Sequence, residues 1–493
     1  MNISDTGAGK KRLYIKIIMK IVLFIFLILI FNKSLLAHEK KDKEIQEENM
    51  DELFLGGDEN KKNEYREETG EKWDIFGYFE SENFFSIGKF TDGERPHQND
   101  IVKFEERARL NTKYGNDFFY GKASFDAYLY AHQNKIKPPR KSGTVDVHEF
   151  YVAYGEKLQL KAGKQVFNWG SADVFRIVNY SDQKDLRELF LIDEDERYRG
   201  VYALDIKYLF SDYSFEAFVI PSSARQLLPG KGTFWEMKPK AEAGLPIIVI
   251  SPDTKKSLSK NASYGMRSGG TFGPVDMYLS YFQGENNQMI FYPEIYWKLP
   301  LILPWLIVMN PDFSRVNKIG LDFAVNIQKL ALRGEAVYTP DQPAIPESTI
   351  ASNILWLSST DIITRPRMKK APYFSYTIGA DYNLWGEYGL FLVEYSSSHF
   401  IANDNKYQKD FFSNILFIAL EDKFYESRLK VGANFMLRLS NDGGWVPGLN
   451  IAYDFKNGII VSAGFMLIYG QEDEMLSMYE NHDIFYAKAR IEF

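Results

Sequence analysis

The chain has 493 residues, and its 66 acidic against 59 basic side chains give a net charge of −7, so it carries no excess of positive charge for a nucleic-acid backbone. It has no cysteine, which excludes disulfides and the acylated cysteine of a lipoprotein. Aromatic residues make up 16% of the chain, which suits a membrane barrel ringed by them at both interfaces.

The N-terminus reads as an export signal. Lys10, Lys11, Arg12, Lys16 and Lys20 precede the uncharged run 21–31, and Ser34-Leu35-Leu36-Ala37 ends in a small residue suited to cleavage. Residues 1–37 are therefore expected to be a removed signal peptide. The alternative, an uncleaved anchor over 13–31, would place Lys16 and Lys20 in the bilayer at about 2.5 to 3.5 kcal/mol each. Residues 38–72 are dense in Lys, Glu, Asp and Asn and cannot bury enough surface to offset their ordering entropy, so a disordered, charged periplasmic tail is expected there.

From residue 73 to 493 the period is two. Phe119, Gly121, Ala123, Phe125, Ala127, Leu129 and Ala131 fall on one face of a strand, with Lys122, Ser124, Asp126, Tyr128 and Tyr130 on the other. The same alternation predicts strands at 74–84, 102–114, 119–131, 146–155, 157–168, 199–210, 212–221, 263–272, 274–284, 315–328, 330–339, 371–383, 387–397, 409–420, 425–438, 446–456, 458–469 and 484–493. These are eighteen strands. Even-to-odd connections are short and carry turn chemistry or charge, as at Gly155-Glu156, Gly273-Pro274, Gln328-Lys329, Leu384 to Gly386, Glu421 to Lys423 and Lys456-Asn457-Gly458. Odd-to-even connections hold the long pieces 168–198, 220–262, 285–314 and 340–370. Counting 291–297 as a strand would break this parity, so it is assigned to a loop.

The last strand alternates without a fault, with Phe485, Ala487, Ala489, Ile491 and Phe493 on one side and Tyr486, Lys488, Arg490 and Glu492 on the other. It resembles the closing strand that the barrel-assembly machinery reads in outer-membrane proteins. The longest later apolar run, 299–309, is broken by Pro300 and Pro304, so no spanning helix is available. A chain that must cross lipid without helices has to close its sheet. The expected fold is all-β, a transmembrane antiparallel barrel of about eighteen strands with short periplasmic turns and long extracellular loops. A globular all-β sandwich is the alternative, and the length of uninterrupted alternation without a second core argues against it.

A barrel of this size leaves an aqueous lumen. The candidate lumen-lining residues are Arg107, Arg109, Lys122, Asp126, Arg333, Glu335, Arg428 and Lys430, and inward bases exceed acids in several strands, a hint of anion preference. The third outward connection, 168–198, is the candidate constriction loop, carrying Trp169, Asp173, Arg176, Asn179, Asp182, Asp185 and Arg187 in one dense stretch. An ordinary solvated external loop is the competing reading.

The same stretch carries a family resemblance. Gly163-Lys164-Gln165-Val166-Phe167-Asn168-Trp169-Gly170, followed by Asp173, Asn179, Asp182 and Asp185, resembles the G(R/K)Q…WG…N..D..D signature of the domain-of-unknown-function family 1302, an uncharacterised proteobacterial outer-membrane group. Tyr281-Phe282-Gln283-Gly284 and 332–338, Leu-Arg-Gly-Glu-Ala-Val-Tyr, resemble further blocks, and the similarity spans about residues 75 to 493. Lys164 stands where arginine is more usual, and Ser181 where a proline is common. The resemblance implies a porin-like barrel, related in architecture to alginate-export barrels and linked with transport or export of hydrophobic compounds.

The apolar stretch 295–309 would be costly in water, so it must line an apolar path, cover the lumen, rest on lipid or pack within the loops. Six histidines show no two-histidine metal spacing, and Asp146 and His148 share a strand face with Glu149 opposite. There is no GxSxG elbow and no phosphate loop. No enzyme activity, cofactor or metal is expected. The expected function is passive passage of small solutes through the outer membrane, with hydrophobic transport or export as the alternative. The expected partners are outer-membrane lipid and lipopolysaccharide, the assembly machinery through Phe485 to Phe493, and a small-molecule solute, with no nucleic acid.

Overall fold

In the computed structural model of the chain, eighteen strands pair in sequence order and the first pairs with the last. β1 (Lys72–Ser86), β2 (Ile101–Gly115), β3 (Phe119–Asn134), β4 (Lys137–Tyr154), β5 (Leu158–Gln165) and β6 (Val201–Phe210) form the first third of the wall. β7 (Tyr213–Ile220), β8 (Ser263–Phe272), β9 (Val275–Glu285), β10 (Arg315–Ile327), β11 (Leu330–Ala344) and β12 (Lys369–Asn383) form the second. β13 (Leu390–Phe400), β14 (Ile415–Phe424), β15 (Leu429–Arg438), β16 (Trp445–Asp454), β17 (Ile459–Met466) and β18 (Ile484–Glu492) complete it. Every neighbouring pair is antiparallel, and β1 meets β18 in a register running from Tyr78 opposite Glu492 to Ser86 opposite Ile484. The sheet therefore has no edge.

The structure describes residues 72–87, 101–134, 137–189, 194–222, 225–230, 233–237, 247–249, 262–286, 290–298, 303–345, 353–356, 361–365, 368–384, 389–401, 413–439, 443–470, 475–479 and 482–493, all within one compact unit. The expected signal peptide and charged tail, 1–37 and 38–72, lie outside them except for Lys72, which opens β1.

Alternation decides which side chains meet which solvent. In β6, Tyr202, Leu204, Ile206, Tyr208 and Phe210 are exposed on the outside, whereas Val201, Ala203 and Asp205 are buried within. On the inner face of β2 stand Lys103, Arg107 and Arg109, and on its outer face Phe104 and Leu110. Exposed aromatics gather at the short-turn end of the outer face, among them Trp73, Tyr114, Phe119, Tyr154, Tyr213 and Phe272, and several stack as neighbours, as Trp73 does on Tyr114 at 4.5 Å between centroids. Tight turns need left-handed backbone. Gly155 has φ 96°, and a side chain there would run into the Leu158 carbonyl.

Four local expectations change. Glu421 to Lys423 lie inside β14, and the turn is 425–428, built on Tyr425, Glu426 and Ser427 with φ of 51°, 56° and 65°. Arg428 is consequently a turn residue at the barrel rim and not a wall residue of the lumen. β13 starts three residues later than expected, at Leu390, with the Leu384 N–H bonded to the Gly389 carbonyl. A bulge opposite Ser124 and Phe125 shifts the register at His148, so Glu149 joins Asp146 and His148 on the inner face instead of opposing them.

The fourth concerns 291–297, which is a strand after all, though outside the barrel. Ile290–Lys298 pairs with Leu303–Asp312 as an extension beyond β9 and β10, and Ile247–Val249, Asp361–Arg365 and Asn353–Trp356 complete a separate five-stranded sheet. Three long connections thus pair with one another, and barrel parity is untouched. No helix among the described residues is long and apolar enough to cross a membrane.

Candidate functional site

The connection from β5 to β6 runs from Val166 to Gly200, and its polar groups bond inward-facing wall residues. Two carboxylates hold its first half. Glu335 on β11 accepts from the backbone N–H groups of Ala172 at 2.8 Å, Ile177 at 2.7 Å and Val178 at 2.8 Å. Glu394 on β13 accepts from Asp173 at 2.9 Å, Val174 at 3.2 Å and Phe175 at 2.5 Å. Six successive or near-successive amides thus end on two charged acceptors, which make stronger bonds than neutral ones. The Thr377 hydroxyl of β12 donates to the Phe175 carbonyl at 3.1 Å, and the Ser171 hydroxyl to the Phe323 carbonyl of β10 at 2.9 Å.

Depth follows from strand geometry. Glu335 is six residues beyond the Gln328-Lys329 turn, about 15 Å up a strand rising 3.3 Å per residue at a 40° tilt, roughly the middle of a 25 Å apolar band.

An apolar patch backs these bonds. Trp169, Val178 and Tyr180 pack against Val201, Phe218, Phe282 and Val337 of the wall, with Trp169 at 5.0 Å from Phe218 and Tyr180 at 5.5 Å from Phe282 between centroids. Gly320 on β10 makes the socket for Tyr180: a side chain there would collide with its hydroxyl, which lies 3.3 Å from Ser280 Oγ. On the opposite wall Leu189 joins Trp235, Leu476 and Tyr479 over the long-loop ends of β14 to β18, where Ile415, Met436, Val446, Met466 and Ile484 are buried.

The return half meets β1 to β3. Glu196 pairs with Arg107 and accepts from the Tyr78 hydroxyl at 2.7 Å, and Glu188 pairs with Lys103 at 2.8 Å.

The sequence-predicted loop residues divide by role. Asp182 is buried and accepts from the N–H groups of Phe167 and Asn168 at 2.9 and 3.0 Å and from Asn179 Nδ2 at 2.9 Å, so Asn179 and Asp182 fasten the start of the segment. Burial pushes the Asp182 carboxyl up to about 6, although those donors pull it down. Asp173 pairs with Arg333, which also pairs with Asp381, and burial together with Asp381 carries the Asp173 carboxyl to about 7 against the pull of Arg333. Burial would also raise Asp185, but Arg187 at 2.6 Å and Arg199 at 3.0 Å hold it below the ordinary range. Arg176 donates to the Ala172 carbonyl at 3.0 Å and stacks over Tyr198. Trp169 is buried in packing.

Among the wall residues, Arg107 and Arg109 both pair with Asp126, Arg109 through two bonds of 2.6 and 2.9 Å. Lys122 pairs with Glu149 at 2.5 Å, and Lys430 with Glu421 at 2.8 Å. Arg428 lies 3.9 Å from Glu426 in its turn. Sequence reasoning missed Glu394, Glu196, Tyr180 and Ser280. Glu394 left one signal, a lone acid at an inward position within Leu-Phe-Leu-Val-Glu-Tyr, 390–395. No group of three or more His, Cys, Asp or Glu among the described residues is arranged to hold a metal ion.

Residues 68–466 match the profile of a family described as "Protein of unknown function (DUF1302)". No curated protein matches the chain. Among solved structures, Salmonella typhi OmpF in complex with daunomycin matches with 11% identity over 86% of this chain and 98% of its own, at a TM-score of 0.42. Pseudomonas aeruginosa OccK5 (OpdH) does so with 10% identity over 86% and 97%, at 0.46, and the outer-membrane channel DcaP of Acinetobacter baumannii with 8% over 89% and 100%, at 0.40.

Proposed function

This chain belongs to the DUF1302 family of proteins of unknown function, and on that premise we propose that it is a channel of the bacterial outer membrane for passive passage of small solutes, narrowed by the 168–198 segment lying within its bore. The observation that carries this is the closed ring of eighteen strands with apolar and aromatic side chains outside and charged ones within. A barrel of that strand number is too wide for its own side chains to fill. The outer aromatics at the short-turn end sit where a lipid interface would hold them, so lipid and lipopolysaccharide are the surroundings this surface fits. The β18 pattern ending at Phe493 suits recognition by the assembly machinery.

Support for the narrowing comes from the amides held by Glu335 and Glu394 and from the ion pairs of Glu188 and Glu196 with the facing wall. Charge selectivity should be mild. Arg107, Arg109, Lys122, Arg333 and Lys430 all have carboxylate partners, so the excess of inward bases is largely compensated where it occurs. The alternative of an apolar path draws no support from the buried apolar surface near the long loops, because Leu189, Trp235, Leu476 and Tyr479 already cover it.

Liposome swelling tests the reading. Proteoliposomes should swell in small sugars and amino acids, at rates falling steeply with solute size. Rates equal to protein-free liposomes for every solute would overturn it.

A further inference from the structure

Asp185, Arg187, Glu188, Glu196 and Arg199, with Phe234 and Trp235, face the inner wall of β1 to β4 across a cavity of about 360 Å3. Among the described residues its lining carries seven carboxylates against five lysine and arginine side chains, interleaved and not segregated. One run is ordered by sign: Asp146 pairs with Arg199, Arg199 with Asp185 at 3.0 Å, and Asp185 with Arg187 at 2.6 Å. The two inner members are closed off, with side chains 13% and 4% exposed, whereas the end members, Asp146 at 38% and Arg187 at 50%, remain open. Asp146 also lies 3.9 Å from Lys164, so an exposed carboxylate flanked by Lys164 stands at one end of the run and an exposed guanidinium at the other.

Two further features shape what fits. Arg107 lines the cavity, and its buried Nε–H has no acceptor among the described residues. Phe234 and Trp235 supply an apolar face. A simple anion would meet the surplus of carboxylates, and a simple cation would leave the Arg107 donor unanswered.

We propose that this cavity, on the channel reading above, is a binding site for a small zwitterion with an apolar body, of the class of aromatic amino acids. The ligand carboxylate lies by Arg187 and Arg107, its ammonium by Asp146, and its apolar body against Phe234 and Trp235. The volume is at the lower end for small-molecule sites and suits a ligand of about a dozen heavy atoms.

Three probes with one phenyl body separate the charge terms: L-phenylalanine, phenethylamine with the ammonium alone, and 3-phenylpropionate with the carboxylate alone. Isothermal titration of the full chain folded in detergent at pH 7.5 should give at least tenfold tighter binding for phenylalanine than for either other probe. Arg187→Gln should bring phenylalanine down to the level of phenethylamine, and Asp146→Asn down to that of 3-phenylpropionate. Equal or tighter binding of a singly charged probe, or no binding of any probe to the folded wild type, would overturn the proposal. Conductance of the same preparation keeps the two readings apart. Open pores that do not bind phenylalanine defeat the site and leave the channel; binding without conductance defeats the channel and leaves the site.

Discussion

Asp182 sits where a charge is expensive, and its position explains what the N-terminal turn of the segment needs. It is 1% exposed, and its donors are two backbone amides and one asparagine. The folded chain holds its proton up to about pH 6, against 3.8 for an ordinary aspartate. A raised carboxyl pKa adds stability that is complete below pH 3.8 and is lost as the pH climbs through about 6, a swing of about 3 kcal/mol at 1.36 kcal/mol per unit. Asp173, raised to about 7, acts in the same direction. Asp185, held low by Arg187 and Arg199, loses its contribution only in stronger acid. The wild-type thermal transition should therefore fall by several degrees between pH 5 and pH 8. Asp182→Asn, uncharged throughout, should show a smaller fall, and an undiminished fall in that variant would refute the assignment.

At the scale of elements, the segment is seated by shape as well as by charge. Gly320 leaves room for Tyr180, and no larger residue fits without moving the ring. Gly320→Leu should unseat the segment and leave the barrel closed. Trypsin should then cut after Arg176, Lys184 or Arg187 in the folded protein, which the wild type should resist. Resistance in the variant would show that Tyr180 does not hold the segment in place. Glu421-Asp422-Lys423 has the composition of a turn, yet inside a polar bore a charged triplet is ordinary strand, and the true turn rests on Tyr425, Glu426 and Ser427, which announce nothing. The strand at 290–298 was hidden because one of its two partners, Asp361–Arg365, comes from a different connection. Glu335 was legible as an inward acid, but the amides that it and Glu394 hold lie about 160 and 220 positions away along the chain, and no local pattern records such a pairing.

For the whole molecule, most was written in period two. An apolar outer face and a charged inner one impose alternation on the strands, so all eighteen were readable, β18 most clearly, and closure followed from the lack of a spanning helix, since lipid cannot satisfy an open strand edge. The bore was less readable, since backbone amides meeting carboxylates leave no composition signature. On the channel reading proposed above, passage through the barrel is set by the segment whose amides Glu335 and Glu394 hold. Single-channel recording in planar bilayers, comparing the wild type with the double variant Glu335→Gln/Glu394→Gln, tests it most directly. Each charge-assisted bond weakened is worth about 1.5 to 3 kcal/mol, so the variant's segment should leave its seat. Small, steady openings in the wild type should become at least twofold larger and noisier in the variant. Electrical silence in both proteins, or identical conductance in the two, would show that Glu335 and Glu394 do not set the passage.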